Sequence, residues 1–450
     1  MKFSFNSRRL ALLGCGLASI LLPAGNSARA AENPAPSVTI LHCPAMIDTV
    51  AGRAQGKTTI VIQGDRVQKI APDFISADGA TVIELPGQTC LPGLIDAHTH
   101  ISTQLGPDFY GDKLHKHEAI WALRSTIYAK RTLQAGFTTI RNLGDRDYET
   151  VPLRDAVAEG WIVGPRIITA GPAIGTIGGH TDESDGLRYA LQLHPGQDPN
   201  IVTGPDAMWT AVREHFRQGV DAIKIMTSGG VLDLGDNADH VEMTVEEIKA
   251  VVAAAHDYGF TVGVHAHSAE GIRRAIVGGV DSIEHATFMD DADIKLMKEH
   301  GTYYVPTIYT GIFIADYAKT PGRLPPQVAA KALQIGPQMF DTLSKAIKSG
   351  VKIAYGTDAG VYPHGDNWKD FPLLVKAGMT PMQAIQTATV NAAKLLKKDK
   401  DLGAIEAGKL ADVVTVPGNP LDDIQLMGKV GFVMKAGVVY RRDGKAVVRD

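Results

Sequence analysis

The stretch LPGLIDAHTH, residues 91–100, is an apolar run that stops at two histidines one residue apart. Side chains alternate faces along an extended strand, so His98 and His100 point the same way. Two imidazoles fixed side by side are preorganised ligands for a divalent cation. The spacing alone is a weak signal, because His115 and His117 share it. Those two fall at the polar start of a predicted helix, where residues two apart diverge, and they read as surface. What strengthens the first pair is its company. Lys224 lies inside GVDAIKIMTSGG, His265 and His267 end FTVGVHAH, His285 ends GVDSIEH and Asp358 ends VKIAYGTD. Each has a local explanation, such as a satisfied core histidine, a helix-capping aspartate or a snorkelling lysine. Their recurrence at strand ends points instead to one site.

Such a site needs a frame that brings strand ends together. In the central part of the chain, short apolar segments (GFTTIRNLGD, PRIITAG, GVDAIKIMTSGG, FTVGVHAHS, GVDSIEHATF, YYVPTIY and VKIAYGTDAG) alternate with helical ones such as EAIWALRSTIYAKRTLQAG, TVEEIKAVVAAAHDYG and DADIKLMKEHG. Strand and helix in steady succession predict parallel strands with crossover helices. With LPGLIDAHTH as the first strand, the length suits an α/β fold of the (β/α)8 TIM-barrel type, whose chemistry sits at the carboxyl ends of the strands. From 37 to about 90 the texture is different: SVTILHC, KTTIVIQGDRVQKI and TVIELP read as strands with tight turns, and LADVVTVPG and GFVMKAGVVYRRDGKAVV repeat it near the other end. The expected divisions are 31–90 and 401–450 for the β-rich ends and 91–400 for the barrel.

With 450 residues, 44% hydrophobic, 21% charged and a net charge of −4, the chain has an ordinary globular composition. Nothing in that balance suggests a nucleic-acid partner: KLLKKDK at 394–400 reads as the solvated end of a helix. Residues 1–30 read as a signal peptide. Lys2, Arg8 and Arg9 precede LALLGCGLASILL, and Ala28-Arg29-Ala30 supplies a small-x-small cleavage site. Ser7-Arg8-Arg9 resembles a twin-arginine signal, although Ala11 stands where a bulky residue is usual. The mature chain is expected to be exported, periplasmic or secreted. It keeps Cys43 and Cys90, which could form a disulfide in an oxidising compartment or remain two buried thiols. No other run is long and apolar enough to span a membrane.

PGLIDAHTH, GFTTIRNLGD, IKIMTSGGV, VHAHSAEGI, DSIEHATF, GTDAG, GMTPMQAIQTATVNAAKLL and GAIEAGKLADVVTVPGNPLDDI together resemble the amidohydrolase superfamily. Within it the similarity is to the imidazolonepropionase-related, prolidase-like metallocarboxypeptidases, a branch that includes ochratoxin A amidohydrolases. The resemblance covers nearly the whole mature chain in order. It implies a binuclear metal centre held by His98, His100, Lys224, His265, His285 and Asp358, a single small β-sandwich built from both chain ends, and assembly into a homo-oligomer. An ammonium cannot ligate a cation, and a charged lysine is costly in an apolar strand. A neutral Lys224 could instead add carbon dioxide, and the carbamate could bridge two ions roughly 3.5–4 Å apart. Zinc is the default for a site rich in imidazole.

That resemblance makes Asp358 the general base and then the acid for the departing amine. His265 is taken as the ligand, with His267, nearer the mouth, contacting substrate or orienting a ligand. His180, in GTIGGHTD, is the candidate for polarising the carbonyl, since its glycines let a loop approach closely. His256 reads as a helix-end cation. His42, His194, His215 and His300 have no evident partner, and Tyr303, Tyr304 and Tyr309 lie near the seventh strand. The implied activity is cleavage of the amide before a carboxyl-terminal residue in a dipeptide or N-acyl amino acid, ochratoxin A included. A cyclic-amide hydrolase or deaminase of the imidazolonepropionase type is the alternative enzyme. A barrel that binds metal or ligand without turnover is the alternative of another class.

Overall fold

The computed structural model describes residues 38–447 apart from 195 and 236. The predicted signal segment, 1–30, lies outside the described residues. Strands from both chain ends share one seven-stranded sheet, in the order Arg53–Gln55, Ala45–Asp48, Gln88–Pro92, Val413–Pro417, Phe432–Lys435, Val438–Arg442, Lys445–Ala446, read from one edge to the other. Its seam is antiparallel, with Val413 opposite Pro92 and Thr415 opposite Cys90. A second sheet holds Arg66–Pro72, Thr58–Gln63, Val38–Cys43 and Thr81–Glu84. Leu41, Ile60, Val67 and Ile83 pack against Met46, Val413, Phe432 and Met434 from the first sheet in one buried cluster.

Cys43 and Cys90 are disulfide-bonded, with 5.9 Å between their Cα atoms. This settles the open choice between a bridge and two thiols. The bond joins a strand of one sheet to a strand of the other and closes a separation of 47 residues. Chain-entropy arguments assign a closed loop of that length about 4 kcal/mol. Cys43→Ser/Cys90→Ser is therefore expected to lose about 2–4 kcal/mol of unfolding free energy in urea titrations. A midpoint unchanged from the unsubstituted protein would show that the bridge contributes nothing.

The central part contains two parallel sheets. One runs Leu94–Thr99, Phe137–Asn142, Arg166–Thr169, and the other Ala222–Met226, Thr261–Ala266, Ser282–His285, Tyr303–Val305. Isolated parallel bridges link their edges: Ile174 with Ile225, Tyr304 with Ile353 and Thr99 with Ala359. VKIAYGTDAG was expected to be a regular strand and is not one; only its two ends are bridged. The reason lies in its local geometry. Asp358 adopts a positive φ of 58°, and the N–H groups of Thr357 and Asp358 both donate to the carbonyl of His98, at 3.2 and 2.7 Å. Gly356 permits this approach, since a Cβ there would fall 2.2 Å from Val305 Cγ1 and 2.9 Å from His98 Cβ.

Helices between the strands begin and end where the local sequence dictates. Thr244 and Asp290 each form a capping box, with Glu247 and Asp293 at the third position, and Gly279 and Gly301 close helices in the left-handed conformation. Helix Val245–Asp257 buries Ile248, Val251, Val252 and Ala255, the spacing of one helical face. His115 ends the short helix Phe109–His115 rather than opening one, and His117 follows it; both are exposed, as a surface pair should be. Residues 397–400 are exposed just beyond helix Ala392–Leu395. No helix among the described residues is long and apolar enough to cross a membrane.

Candidate metal centre

The end of strand Leu94–Thr99 and the irregular segment 353–359 bring His98, His100 and Asp358 together. Each can offer one ligand atom, all within 4.8 Å of one another. Asp358 Oδ1 lies 3.2 Å from His100 Nε2 and 3.5 Å from His98 Nε2. The other imidazoles adjoin them: the His285 ring centroid is 5.1 Å from that of His98 and 4.8 Å from that of His265. His267 stacks on His285 at 5.2 Å.

Each ring has one nitrogen fixed by the protein. The Nδ1 atoms lie 2.9 Å from Glu284 Oε2 for His98, 3.2 Å from the Gly144 carbonyl for His100, 2.7 Å from Thr307 Oγ1 for His285 and 2.7 Å from Thr287 Oγ1 for His267. His265 is held through the opposite atom, Nε2, 3.2 Å from the carbonyl of Gly229. Partners of this kind orient a ring and select the nitrogen offered to a cation: Nε2 on His98, His100 and His285, Nδ1 on His265.

Electrostatics favour the same use. Burial holds His265 and His285 well below the usual imidazole range, and neighbouring imidazoles add to the effect. Burial and then the Lys224 charge bring His98 down to about 4, against the opposing influence of Glu284 and Asp358. Burial, then the charge of His180, takes His267 to about 3. These rings are neutral at neutral pH, the state that binds metal. Burial pushes Asp358 up, but the His100 hydrogen bond and the charges of His98, His100 and Lys224 leave it below the usual carboxylate value.

His98 Nε2 and Lys224 Nζ are among the buried atoms that have no hydrogen-bond partner in the described residues. Burial lowers Lys224 to about 8, against the raising influence of Glu284 and Asp358. An orphaned imidazole nitrogen next to the Asp358 carboxylate, with an orphaned buried amine under the influence of the same carboxylate, fits a site for divalent cations.

The surrounding charges were not anticipated. Glu284, which fixes His98, pairs with Arg141 at 3.0 Å, both side chains wholly inaccessible. Asp96 accepts from Thr357 Oγ1 at 2.6 Å and Asn367 Nδ2 at 2.8 Å, tying the Asp358 turn to the first strand. Charged residues inside the apolar runs LIDAH, TTIRN and SIEH were the available signal. Positive φ angles at His285, Ala286, Thr307 and Asp358 (67°, 48°, 47° and 58°) concentrate backbone strain at this mouth.

His180 lies against one of the histidines of VHAH. Its ring stacks on His265 at 4.3 Å, and its Nδ1 lies 2.7 Å from Asp233 Oδ2. Tyr304 is buried, its hydroxyl donating to the His285 carbonyl at 3.0 Å, whereas Tyr309 OH accepts from Lys369 Nζ at 3.1 Å. Two histidines expected to lack partners have them: His42 Nδ1 lies 2.7 Å from Glu84 Oε1, and the His215 ring sits between the carbonyls of Ala211 and Pro172. His256, at its helix end, has Nε2 2.9 Å from Asp281 Oδ2.

Known proteins resemble this chain over most of its length. The model of the amidohydrolase family matches residues 89–440. Ochratoxinase from Aspergillus niger is 32% identical over 374 residues, which cover 79% of this chain and 76% of that protein. Among solved structures, a Xaa-Pro dipeptidase with bound methionine in its active site matches with a TM-score of 0.86 and 44% identity, over 90% of this chain and 100% of that one. A prolidase complexed with N-methylphosphonate-L-proline matches with a TM-score of 0.83 and 30% identity, again over 90% of this chain and 100% of that one. The chain belongs to the amidohydrolase family and is a hydrolase acting on C–N bonds.

Proposed function

We propose that the chain cleaves the amide bond before a carboxyl-terminal amino acid, in a dipeptide or an N-acyl amino acid such as ochratoxin A, at a centre for two divalent cations, zinc by default. The observation that carries this reading is the partnerless, buried Lys224 Nζ, whose charge acts on His98 and Asp358 of the His98–His100–Asp358 group. The dipeptidase, prolidase and ochratoxinase relatives support the substrate class. We propose with it that the two parallel sheets and residues 353–359 close into a (β/α)8 barrel spanning 91–400. Segments 31–90 and 401–450 form the accompanying sandwich, and 1–30 direct export, to which the disulfide is suited.

His98, His100, His265, His285, Asp358 and a carbamylated Lys224 would hold the cations. When bound, they supply Lewis acidity that polarises a carbonyl and lowers the proton affinity of water. The chain's own residues do the rest. A neutral Lys224 amine attacks carbon dioxide and releases a proton, leaving an anionic carbamate where an ammonium cannot serve. Its lowered affinity for protons makes that neutral form accessible. Asp358 accepts the proton of the attacking water and returns it to the amide nitrogen as the C–N bond breaks. His180 donates to the carbonyl oxygen, and His267, fixed by Thr287, lines the mouth. The carbamate-capable lysine favours this reading over a cyclic-amide hydrolase or deaminase.

Metal-reconstituted protein assayed against Xaa-Pro, Xaa-Arg, Xaa-Phe and ochratoxin A amides is expected to release the terminal amino acid from at least one. No cleavage of any would overturn the reading. The two histidines of VHAH are expected to separate: His265→Asn should lose bound metal, while His267→Asn should keep it and lose about 10- to 100-fold in kcat. Metal content reversed between the two variants would exchange their roles.

A further inference from the structure

Asp233 and Lys331 stand outside the proposed ligand set, yet they converge on His180. Asp233 follows the strand Ala222–Met226, and Lys331 comes from helix Pro326–Ser349. Asp233 Oδ2 lies 2.7 Å from His180 Nδ1 and also accepts the Gly230 N–H at 2.9 Å. Asp233 Oδ1 accepts from Lys331 Nζ at 2.5 Å, and the same ammonium donates to the Asp233 backbone carbonyl at 3.0 Å. Both carboxylate oxygens are committed, and the lysine fixes their rotation.

The imidazole is confined as well. Beyond its stack on His265, the His180 ring lies against Gly230, where a Cβ would fall 2.0 Å from Cε1. The His180 backbone N–H donates to Glu242 Oε1 at 2.9 Å. The Asp233 and Lys331 side chains are only 6% and 10% exposed, so this ion pair sits where desolvation offsets much of its attraction. Apolar residues would serve stability as well there, so a role in orientation accounts better for the charges.

We infer that Asp233, held by Lys331, is a positioning residue for amide cleavage. It engages His180 Nδ1 and leaves Nε2 as the atom presented to the scissile carbonyl. The inference rests on the amide-hydrolase reading above, and its experiment separates the two. With metal content measured on every sample, Asp233→Asn is expected to lower kcat about 10- to 100-fold with KM changed less than about threefold. Asp233→Glu should recover part of the loss, and Asp233→Asn should have no further effect once His180 is asparagine. Lys331→Met, which keeps the carboxylate, should lower kcat by a smaller factor. A hydrogen-bonded imidazole proton downfield of the amide region should appear in the proton NMR spectrum of the unsubstituted protein. It should vanish in both Asp233→Asn and His180→Asn.

Full kcat in a metal-loaded Asp233→Asn, or an equal loss in the His180→Asn background, would overturn the inference. So would the absence of that resonance from the unsubstituted protein, a result that does not depend on any variant folding. An unsubstituted protein that shows the resonance but cleaves no amide would support the Asp233–His180 geometry while refuting the substrate reading.

Discussion

Lys224→Ala is expected to remove at least one bound metal and to lower kcat/KM for amide cleavage on the order of 1,000-fold, the weight of several kcal/mol of electrostatic stabilisation. The Lys224 amine is buried, has no hydrogen-bond partner and feels the charges of Glu284 and Asp358. Lys224→Arg should fail equally, because a guanidinium cannot form a carbamate. Lys224→Ala supplied with metal and a short carboxylic acid should regain part of its activity, the carboxylate replacing the missing bridge. Kinetics alongside metal analysis checks all three outcomes, and a Lys224→Ala protein with full activity would remove the carbamate from the mechanism.

The same residue makes a stability prediction for the metal-free protein. Its affinity for protons is lower folded, at about 8, than the ordinary 10.5, so between those values the unfolded chain binds more protons. Stability therefore rises with pH across that window from this group alone. The rise should be smaller in Lys224→Ala, as read from urea titrations at pH 8 and 10. Identical slopes in the two proteins would mean that Lys224 is not held neutral.

Asp358→Asn is expected to lower kcat by about 10²- to 10⁴-fold, the range for a lost general acid–base group. Asparagine keeps the shape and tolerates the positive φ of 58° at this position, so the fold should persist. An amide cannot accept and return the proton, and it is a poorer ligand next to His98 and His100. Pre-steady-state assays with a good leaving group should recover part of the rate, because the protonation of the departing amine matters less there. A kcat unchanged from the unsubstituted protein would assign the proton transfers elsewhere.

Much of this centre was legible before any coordinates, for a simple physical reason. An HxH at a strand terminus fixes direction through the two-residue period, and His285 and Asp358 end comparable runs. Contacts between distant segments were hidden. The sequence cannot show that Cys43 and Cys90 face each other across two sheets, nor that Asp233 and Lys331, 98 residues apart, are hydrogen-bonded. VKIAYGTDAG reads as a strand by its apolar pattern, but the left-handed Asp358 breaks its pairing. His265 and His267 share a face by periodicity. They differ only in which ring nitrogen the Gly229 carbonyl or Thr287 hydroxyl occupies, a distinction visible only in three dimensions.

On the proposed reading, this chain's residues hold a pair of cations through Lys224. Elemental mass spectrometry on protein reconstituted with zinc and bicarbonate and then dialysed tests it most directly. Two zinc ions per chain, falling to one or none in Lys224→Ala, is the predicted result. One ion or none in the unsubstituted protein, or a content unchanged by the substitution, would contradict it.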